Sequence, residues 1–78
     1  MRVRVFWDPA ALFVFYRLPR PLAEAVDRAV VTLVERGEGR LEWVAPYHRL
    51  QAGKHDVVLV INAHALSITV LHIWRSRS

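Results

Sequence analysis

Two apolar, β-branched segments separated by four residues constrain the fold of this chain more than any other feature. Residues 55–61 read HDVVLVI and residues 66–74 read LSITVLHIW, with NAHA between them. Valine, isoleucine and threonine favour strands, and a short break between two such runs is typical of a hairpin. The continuous apolar run of the first segment also indicates a central strand covered on both faces. We therefore predict a β-hairpin at the centre of a sheet.

The register of this hairpin decides which side chains are displayed. With the turn centred on NAHA, His55 would face His72 across the hairpin, on an apolar side that Trp74 completes. We expect this side to pack on helices, which leaves Asp56 and Arg75 on the opposite, uncovered side. A slip of one residue would exchange the two sides.

The N-terminal half predicts one strand followed by two helices. RVRVFW, residues 2–7, alternates with a period of two and indicates a strand with one buried side. Asp8 and Pro9 then form an N-cap followed by proline at the first helical position, and Pro19 ends this helix. A second helix begins at Pro21 and stops at Gly37, with apolar residues at helical spacing between them.

The order of elements predicts the fold class. LEWV (41–44) and YHRLQ (47–51) are extended pieces interrupted at Ala45-Pro46, and they precede the C-terminal hairpin. Because no repeat, linker or low-complexity tract divides residues 1–78, we expect a single domain. The order β-α-α-β-β-β indicates an α+β fold, with a helical hairpin packed on one face of an antiparallel sheet.

Composition limits the class of protein. The sequence has no cysteine, so disulfide frameworks and thiolate metal sites are excluded. No apolar run reaches the roughly 18–20 residues of a membrane span, and MRVRVFWDPAAL is a poor signal peptide, so a cytoplasmic protein without a membrane partner is expected. The net charge is +4, and ten of the eleven basic residues are arginine. This excess favours an anionic partner, either nucleic acid or an acidic protein segment, with simple solubility as the alternative.

Four segments together resemble a known family. They are DPAAL…RLP, LAEAVDRAVVTLVE, HRLQAGKHDVVLVI and ITVLHIWRSR. In order and spacing they are similar to the RelE/ParE superfamily, whose members are toxins of bacterial toxin–antitoxin pairs. The resemblance implies a RelE/ParE-like fold, an antitoxin partner and no cofactor. It also implies either ribosome-dependent cleavage of mRNA, as a metal-independent endoribonuclease, or inhibition of DNA gyrase.

The resemblance carries specific residues with it. Arg49, in HRLQAG, matches a basic position of the family, and Arg75 matches the basic position that follows the last strand. For RNA cleavage these two would stabilise the phosphate in the transition state, and His48 is the candidate for proton transfer. Lys54 and Arg77 are the further candidates for binding nucleic acid.

Two departures from the family pattern favour a different activity. A family arginine in the third strand is replaced here by Asp56, whose carboxylate would repel phosphate or pair with a neighbouring cation. The chain also ends at Ser78, before the C-terminal aromatic residue that several RNA-cutting members use. Both departures favour a gyrase-type inhibitor, an inactive relative or a nuclease with shifted chemistry. They also support the alternative of a non-catalytic interaction module, so whether the chain is an enzyme stays open at this point. The four histidines lack the spacing of a metal site, and we predict none.

The first helix is unusually apolar. ALFVFY, residues 11–16, has no polar residue before its tyrosine. Either the helix is buried between the sheet and the second helix, or it displays a stripe that an antitoxin helix or a second copy of the chain covers. The stripe would consist of Phe13 and Tyr16, or of Leu12 and Phe15.

Overall fold

A computed structural model describes residues 2–76 of the chain. Its elements follow in the order β1 (Arg4–Trp7), α1 (Pro9–Arg17), α2 (Arg20–Arg36), β2 (Leu41–Val44), β3 (Tyr47–Ala52), β4 (His55–Asn62) and β5 (Ser67–Arg75). The strands form one sheet in the order β1-β5-β4-β3-β2. The β1–β5 pair is parallel, and the other neighbouring pairs are antiparallel. The predicted α+β class and the helical hairpin on a sheet are confirmed.

Local signals set the ends of α1. The Asp8 side chain accepts a hydrogen bond from the backbone N–H of Ala10 at 2.9 Å, and Pro9 occupies the first helical position. The helix stops at Leu18, which is extended (φ −72°, ψ 142°) because the ring of Pro19 disfavours a helical residue before it. Both ends agree with the prediction.

The second helix is amphipathic. Val26, Val30 and Leu33 are its buried residues, and their spacing places them on one face. The helix ends at Gly37, whose positive φ of 66° is left-handed and whose N–H donates to the carbonyl of Leu33. Glycine adopts this conformation without the steric penalty of a Cβ atom, so the predicted stop is confirmed.

The segments LEWV and YHRLQ form two separate strands. β2 and β3 pair antiparallel, with Leu41 opposite Leu50, and the cis peptide between Ala45 and Pro46 lies in the turn that joins them. The sheet therefore has five strands where the sequence indicated four. Proline has no N–H to donate to the hydrogen-bond ladder of a sheet, so Pro46 lies in the turn between the two strands. The break at Ala45-Pro46 is therefore the point at which the chain reverses direction.

The register of the C-terminal hairpin differs from the expected one. Ile61 pairs with Ile68, so the turn is longer than the centred NAHA placement requires. Farther along, Leu59 pairs with Val70 but the preceding residue of β4 pairs with His72, which leaves Leu71 as an extra residue in β5. This is a β-bulge, and an extra residue reverses the faces of every residue beyond it.

The bulge overturns three expectations. Trp74 lies opposite Asp56, on the face that the helices leave open, and does not complete the apolar side. His55 pairs with Arg75 and not with His72. Arg75, expected on the open face with Asp56, alternates onto the helix side of the register; at the exposed end of β5 it nevertheless lines the open-face cavity together with Asp56 and Trp74.

The core lies between the helices and one face of the sheet. Its buried residues are Ala11, Val26, Val30, Leu33, Leu50, Ala52, Val57, Leu59, Ile68, Val70 and Ile73. β4 is central in the strand order, as predicted, but the helices cover only one of its faces. Neither α1 nor α2 combines the length and apolar character that crossing a bilayer requires.

Candidate functional site

The helix-free face of the sheet carries a row of charged and aromatic side chains. Glu42 on β2 lies opposite Arg49 on β3, and Asp56 on β4 lies opposite Trp74 on β5. An open cavity of about 990 Å³ occupies this region, and we call it the sheet cavity. Its lining residues are Gly39, Arg40, Leu41, Glu42, Arg49, Gln51, Asp56, Trp74, Arg75 and Ser76.

The guanidinium of Arg49 lies between two carboxylates. Its Nη2 donates to Oε1 of Glu42, and its Nε is 4.0 Å from Oδ2 of Asp56. The Arg49 side chain keeps 40% of its surface exposed. Because a guanidinium has five N–H donors and solvent weakens exposed ion pairs, Arg49 retains donors for an incoming anion.

Asp56 joins the sheet cavity to the C-terminal segment. Its Oδ1 accepts a hydrogen bond from Oγ of Ser76 at 2.8 Å, while the N–H of Ser76 donates to the carbonyl of Lys54 at 3.0 Å. Only 14% of the Asp56 side chain is exposed. The carboxylate is therefore fixed in place and available on the cavity side.

Arg40 is a third cation of the sheet cavity, and no pattern in the sequence distinguishes it from the other arginines. Its Nη1 donates to Oε1 of Gln51 at 3.2 Å, and its carbonyl accepts from the N–H of Gln51 at 3.0 Å. It precedes β2 in the loop after α2, where an arginine has no distinguishing pattern. With Arg49 and Arg75, it gives the cavity three arginines against the carboxylates of Glu42 and Asp56.

Trp74 is the aromatic residue of the sheet cavity. It keeps 48% of its surface exposed, and its ring centroid lies 5.2 Å from that of His72 in an edge-on contact. Sequence reasoning assigned Trp74 to the core because the pattern of β5 contains no signal for the bulge at Leu71.

Of the three predicted catalytic residues, only two line the sheet cavity. Arg49 and Arg75 line the same cavity, as the resemblance implied. His48 alternates with Arg49 along β3 and so lies on the other face, where its ring centroid is 4.9 Å from that of Trp43. The sheet therefore separates His48 from Arg49, although the two are neighbours in sequence, and His48 is not among the residues that line the sheet cavity.

The two predicted nucleic-acid-binding residues fall outside the sheet cavity or outside the described structure. Lys54 is exposed in the turn between β3 and β4 and is not among the cavity-lining residues. Arg77 lies outside the described residues.

The four residues predicted to bind a partner divide between two environments. Phe15 and Leu12 are half-buried, and the Phe15 ring centroid is 5.2 Å from that of Trp7. Phe13 and Tyr16 keep 63% and 76% of their surfaces exposed. Of the two stripes considered, the Phe13–Tyr16 stripe is the one that α1 displays.

Within residues 2–76, no group of three or more histidine, aspartate or glutamate side chains is placed to hold a metal ion. The chemistry of the described cavity is that of arginine, carboxylate, amide, hydroxyl and indole groups. Such a set can bind an anion, accept a hydrogen bond from a hydroxyl and stack on a planar ring.

Comparison with protein-family models and with curated proteins finds no match to this sequence. Comparison with solved structures finds strong similarity over the full length. The archaeal RelE–RelB complex from Pyrococcus horikoshii matches with a TM-score of 0.80 and 15% identity, and the alignment covers all of both chains. The RelBE2 toxin–antitoxin complex from Mycobacterium tuberculosis matches with a TM-score of 0.79 and 14% identity, over 97% of this chain and 100% of the other.

A third structure extends the similarity to another toxin. The YoeB dimer from Staphylococcus aureus matches with a TM-score of 0.75 and 11% identity, over all of both chains. At these identities, structural similarity is evidence about the fold and not about activity. The fold that the sequence resemblance implied is confirmed: this chain has the fold of the RelE-type toxins.

Proposed function

We propose that this chain is the toxin of a type II toxin–antitoxin pair. The observation that carries the proposal is the fold, since chains from two solved RelE–RelB-type toxin–antitoxin complexes match 97% and 100% of this chain. Fold alone does not define function, so the proposal also draws on the site. A basic cavity on the open sheet face is a feature that a toxin acting on nucleic acid needs.

The antitoxin is the proposed protein partner. The Phe13–Tyr16 stripe supports this, because two large aromatic side chains in contact with water would be stabilised by a covering apolar surface. Arg17 lies beside the stripe, with its guanidinium 5.2 Å from the Phe13 ring centroid, and offers an ion pair to an acidic antitoxin residue.

Of the two targets that the resemblance implies, the sheet cavity favours mRNA over DNA gyrase. Arg40, Arg49 and Arg75 can hold a phosphodiester and neutralise charge that develops as a 2′-hydroxyl attacks it. His48 is on the other face, so on the cavity side proton transfer would fall to the carboxylate of Glu42 or Asp56.

A second candidate function is a non-catalytic interaction module with the same fold. The observation that favours it is the pairing of Arg49 with both Glu42 and Asp56, which lowers the positive potential where a phosphate would bind. Such a module would bind a partner or a second copy of itself through α1 without arresting growth.

Controlled expression in a bacterial host tests the proposal. The chain is induced alone and together with the short reading frame adjacent to its gene, and growth and soluble protein are followed. A toxin is expected to stop growth when induced alone and to permit growth when the adjacent product is present. A folded, soluble chain that leaves growth unaffected would contradict the toxin function and leave the interaction module.

The target is tested in the same cells. Soon after induction, mapping of mRNA 5′ ends and the supercoiling of a reporter plasmid are compared with uninduced cells. New mRNA ends with unchanged supercoiling are expected. Relaxed plasmid with intact mRNA would instead identify gyrase as the target.

A further inference from the structure

Strand β2 is an edge of the sheet, and within residues 2–76 it pairs with β3 alone. All four of its residues are exposed. Three of the four side chains are large and apolar, those of Leu41, Trp43 and Val44. The free side of an edge strand also presents backbone N–H and C=O groups to which another strand can bond. β2 therefore offers both hydrogen-bonding groups and apolar surface to a second strand.

The ladder between β2 and β3 decides which backbone groups face outward. The N–H of Gln51 donates to the carbonyl of Arg40, so Arg40 and Gln51 form a hydrogen-bonded pair. Hydrogen-bonded and non-hydrogen-bonded pairs alternate along an antiparallel ladder. Leu41 and Trp43 therefore direct their N–H and C=O groups to the free edge. A strand that bonds to these two residues leaves the pairing of β2 with β3 intact.

The sequence around Leu41 is complementary to itself. Residues that face each other across an antiparallel pair share a side of the sheet, so a twofold axis between two copies of β2 passes through a single residue. An axis at Leu41 places Arg40 of each copy opposite Glu42 of the other, which forms two ion pairs. It also sets Trp43 beside Gly39 of the second copy, where no side chain obstructs the indole.

The neighbouring positions of the axis fit less well. An axis at Glu42 places the two Glu42 side chains opposite each other, and like charges in this arrangement are destabilising. An axis at Trp43 leaves Glu42 facing Val44 and pairs Leu41 with Ala45, which lies in the turn to β3. A charge on an edge strand usually discourages pairing. Here the charge of Glu42 selects the register centred on Leu41.

We propose that two copies of this chain associate through β2, paired antiparallel about a twofold axis at Leu41, with Arg40 of each copy against Glu42 of the other. The two five-stranded sheets then form one continuous sheet. Because Arg40, Leu41 and Glu42 also line the sheet cavity, the cavities of the two copies lie side by side. The proposal goes beyond the toxin function and does not depend on it.

The length of β2 sets the expected strength of association. Four residues from each copy bury much less than the roughly 800 Å² per partner of a typical stable interface. We therefore expect a reversible dimer with a dissociation constant of about 10–100 μM. The affinity should fall as salt screens the two exposed ion pairs.

Sedimentation equilibrium of the purified chain tests the dimer, from about 5 to about 500 μM, on either side of the expected dissociation constant. The variants are Arg40→Glu, Glu42→Arg and the exchanged pair Arg40→Glu/Glu42→Arg. Arg28→Glu is the matched control, because it makes the same change of charge at an exposed position on α2. Thermal unfolding of each variant is measured to show that it is folded.

We expect each single charge variant of β2 to weaken the dimer at least about tenfold, because it sets like charges opposite each other twice. The exchanged pair restores opposite charges and should return the dissociation constant to within about threefold of the native value. Arg28→Glu should leave it unchanged. A role of Arg40 or Glu42 in the fold alone would not be rescued by the exchange.

Leu41→Pro tests the backbone pairing independently of charge. Proline removes the outward N–H of this position and none that bonds to β3. Leu41→Ala is its control, since it shortens the side chain and keeps the N–H. We expect Leu41→Pro to abolish the dimer over the measured range and Leu41→Ala to weaken it much less.

A native chain that stays monomeric at every concentration would overturn the proposal. If Leu41→Pro then weakened binding of the adjacent gene product, the edge would be assigned to the antitoxin. A dimer that survives the single charge variants, or that the exchange does not rescue, would also overturn it. Loss of such a dimer in Phe13→Ser/Tyr16→Ser would place the contact on α1. None of these measurements involves growth, so their failure leaves the toxin function standing.

Discussion

At the scale of single residues, the local environment of Arg49 decides what the sheet cavity can do. Its guanidinium is paired with Glu42 and lies near Asp56, yet it remains two-fifths exposed. The resemblance selected Arg49 and noted Asp56 as a departure. The register between β3 and β4 was needed to bring the two together.

The charge of Asp56 is expected to oppose RNA binding. Asp56→Asn removes that charge and keeps an oxygen that can accept a hydrogen bond from Ser76 or from a ribose. We expect the affinity for single-stranded RNA to rise about two- to threefold in about 0.1 M salt, because one repulsion of the phosphates is removed. Fluorescence anisotropy of a labelled single-stranded RNA measures the affinity. Asp27→Asn is the control, because Asp27 is an exposed acid on α2. A fall in affinity in Asp56→Asn alone would show that the carboxylate charge itself contributes to binding.

Leu59 is expected to be a major contributor to stability. It is fully buried in β4 on the helix side, whereas Ile61, two residues along on the same face, is 37% exposed. Leu59→Ala should lower the free energy of unfolding by about 2–5 kcal/mol through lost burial and the cavity left behind. Ile61→Ala should lower it by less than half as much. Urea unfolding measures both, and equal losses would contradict the described core.

At the scale of elements, the sequence predicted the helices well and the last strand poorly. Helix ends depend on local signals such as Asp8, Pro19 and Gly37, which can be read directly. The face of β5 depends on the bulge at Leu71, for which no residue pattern exists. For the same reason Trp74 was assigned to the core, and the cavity's aromatic residue could not be found from sequence alone.

The turn between β3 and β4 requires glycine more strictly than the end of α2 does. Gly53 and Gly37 have nearly the same positive φ, 65° and 66°, but a Cβ on Gly53 would lie 3.3 Å from Cβ of Ala25, whereas Gly37 faces open space. We expect Gly37→Ala to cost about 1 kcal/mol for the left-handed conformation, and Gly53→Ala to cost more because of the added contact. Urea unfolding measures the loss in free energy of unfolding for both variants. A smaller cost at Gly53 would contradict the described packing of this turn against α2.

At the scale of the whole molecule, the element order was enough to predict the α+β class, and the resemblance predicted the RelE-type fold. The two predictions agree because helices and strands follow from local pattern, and their order restricts how they can pack. The site was predicted only in part, at Arg49 and Arg75. Arg40 and Trp74 belong to it only because strand pairing brings four distant segments to one cavity.

The two surfaces of the molecule are expected to have separate partners. Phe13→Ser/Tyr16→Ser should weaken binding of the antitoxin about a hundredfold, because exposed aromatic side chains commonly dominate such interfaces. Val44→Ser is the control, since Val44 is 45% exposed on β2, at the opposite edge of the sheet from β1. Isothermal titration with the adjacent gene product measures both variants. Equal losses of antitoxin affinity in the double variant and in Val44→Ser would show that the Phe13–Tyr16 stripe is not part of the interface.

Growth after induction of three chains, at matched levels of soluble protein, tests the central claim most directly. They are the native chain, Arg49→Ala/Arg75→Ala, and the control Arg28→Ala/Arg36→Ala, which removes the same charge from exposed positions on α2. We predict that the native chain and the control stop growth, and that cells expressing Arg49→Ala/Arg75→Ala continue to grow because the sheet cavity no longer holds phosphate. Growth unaffected by the native chain, or arrest by all three, would contradict a toxin that acts through this cavity.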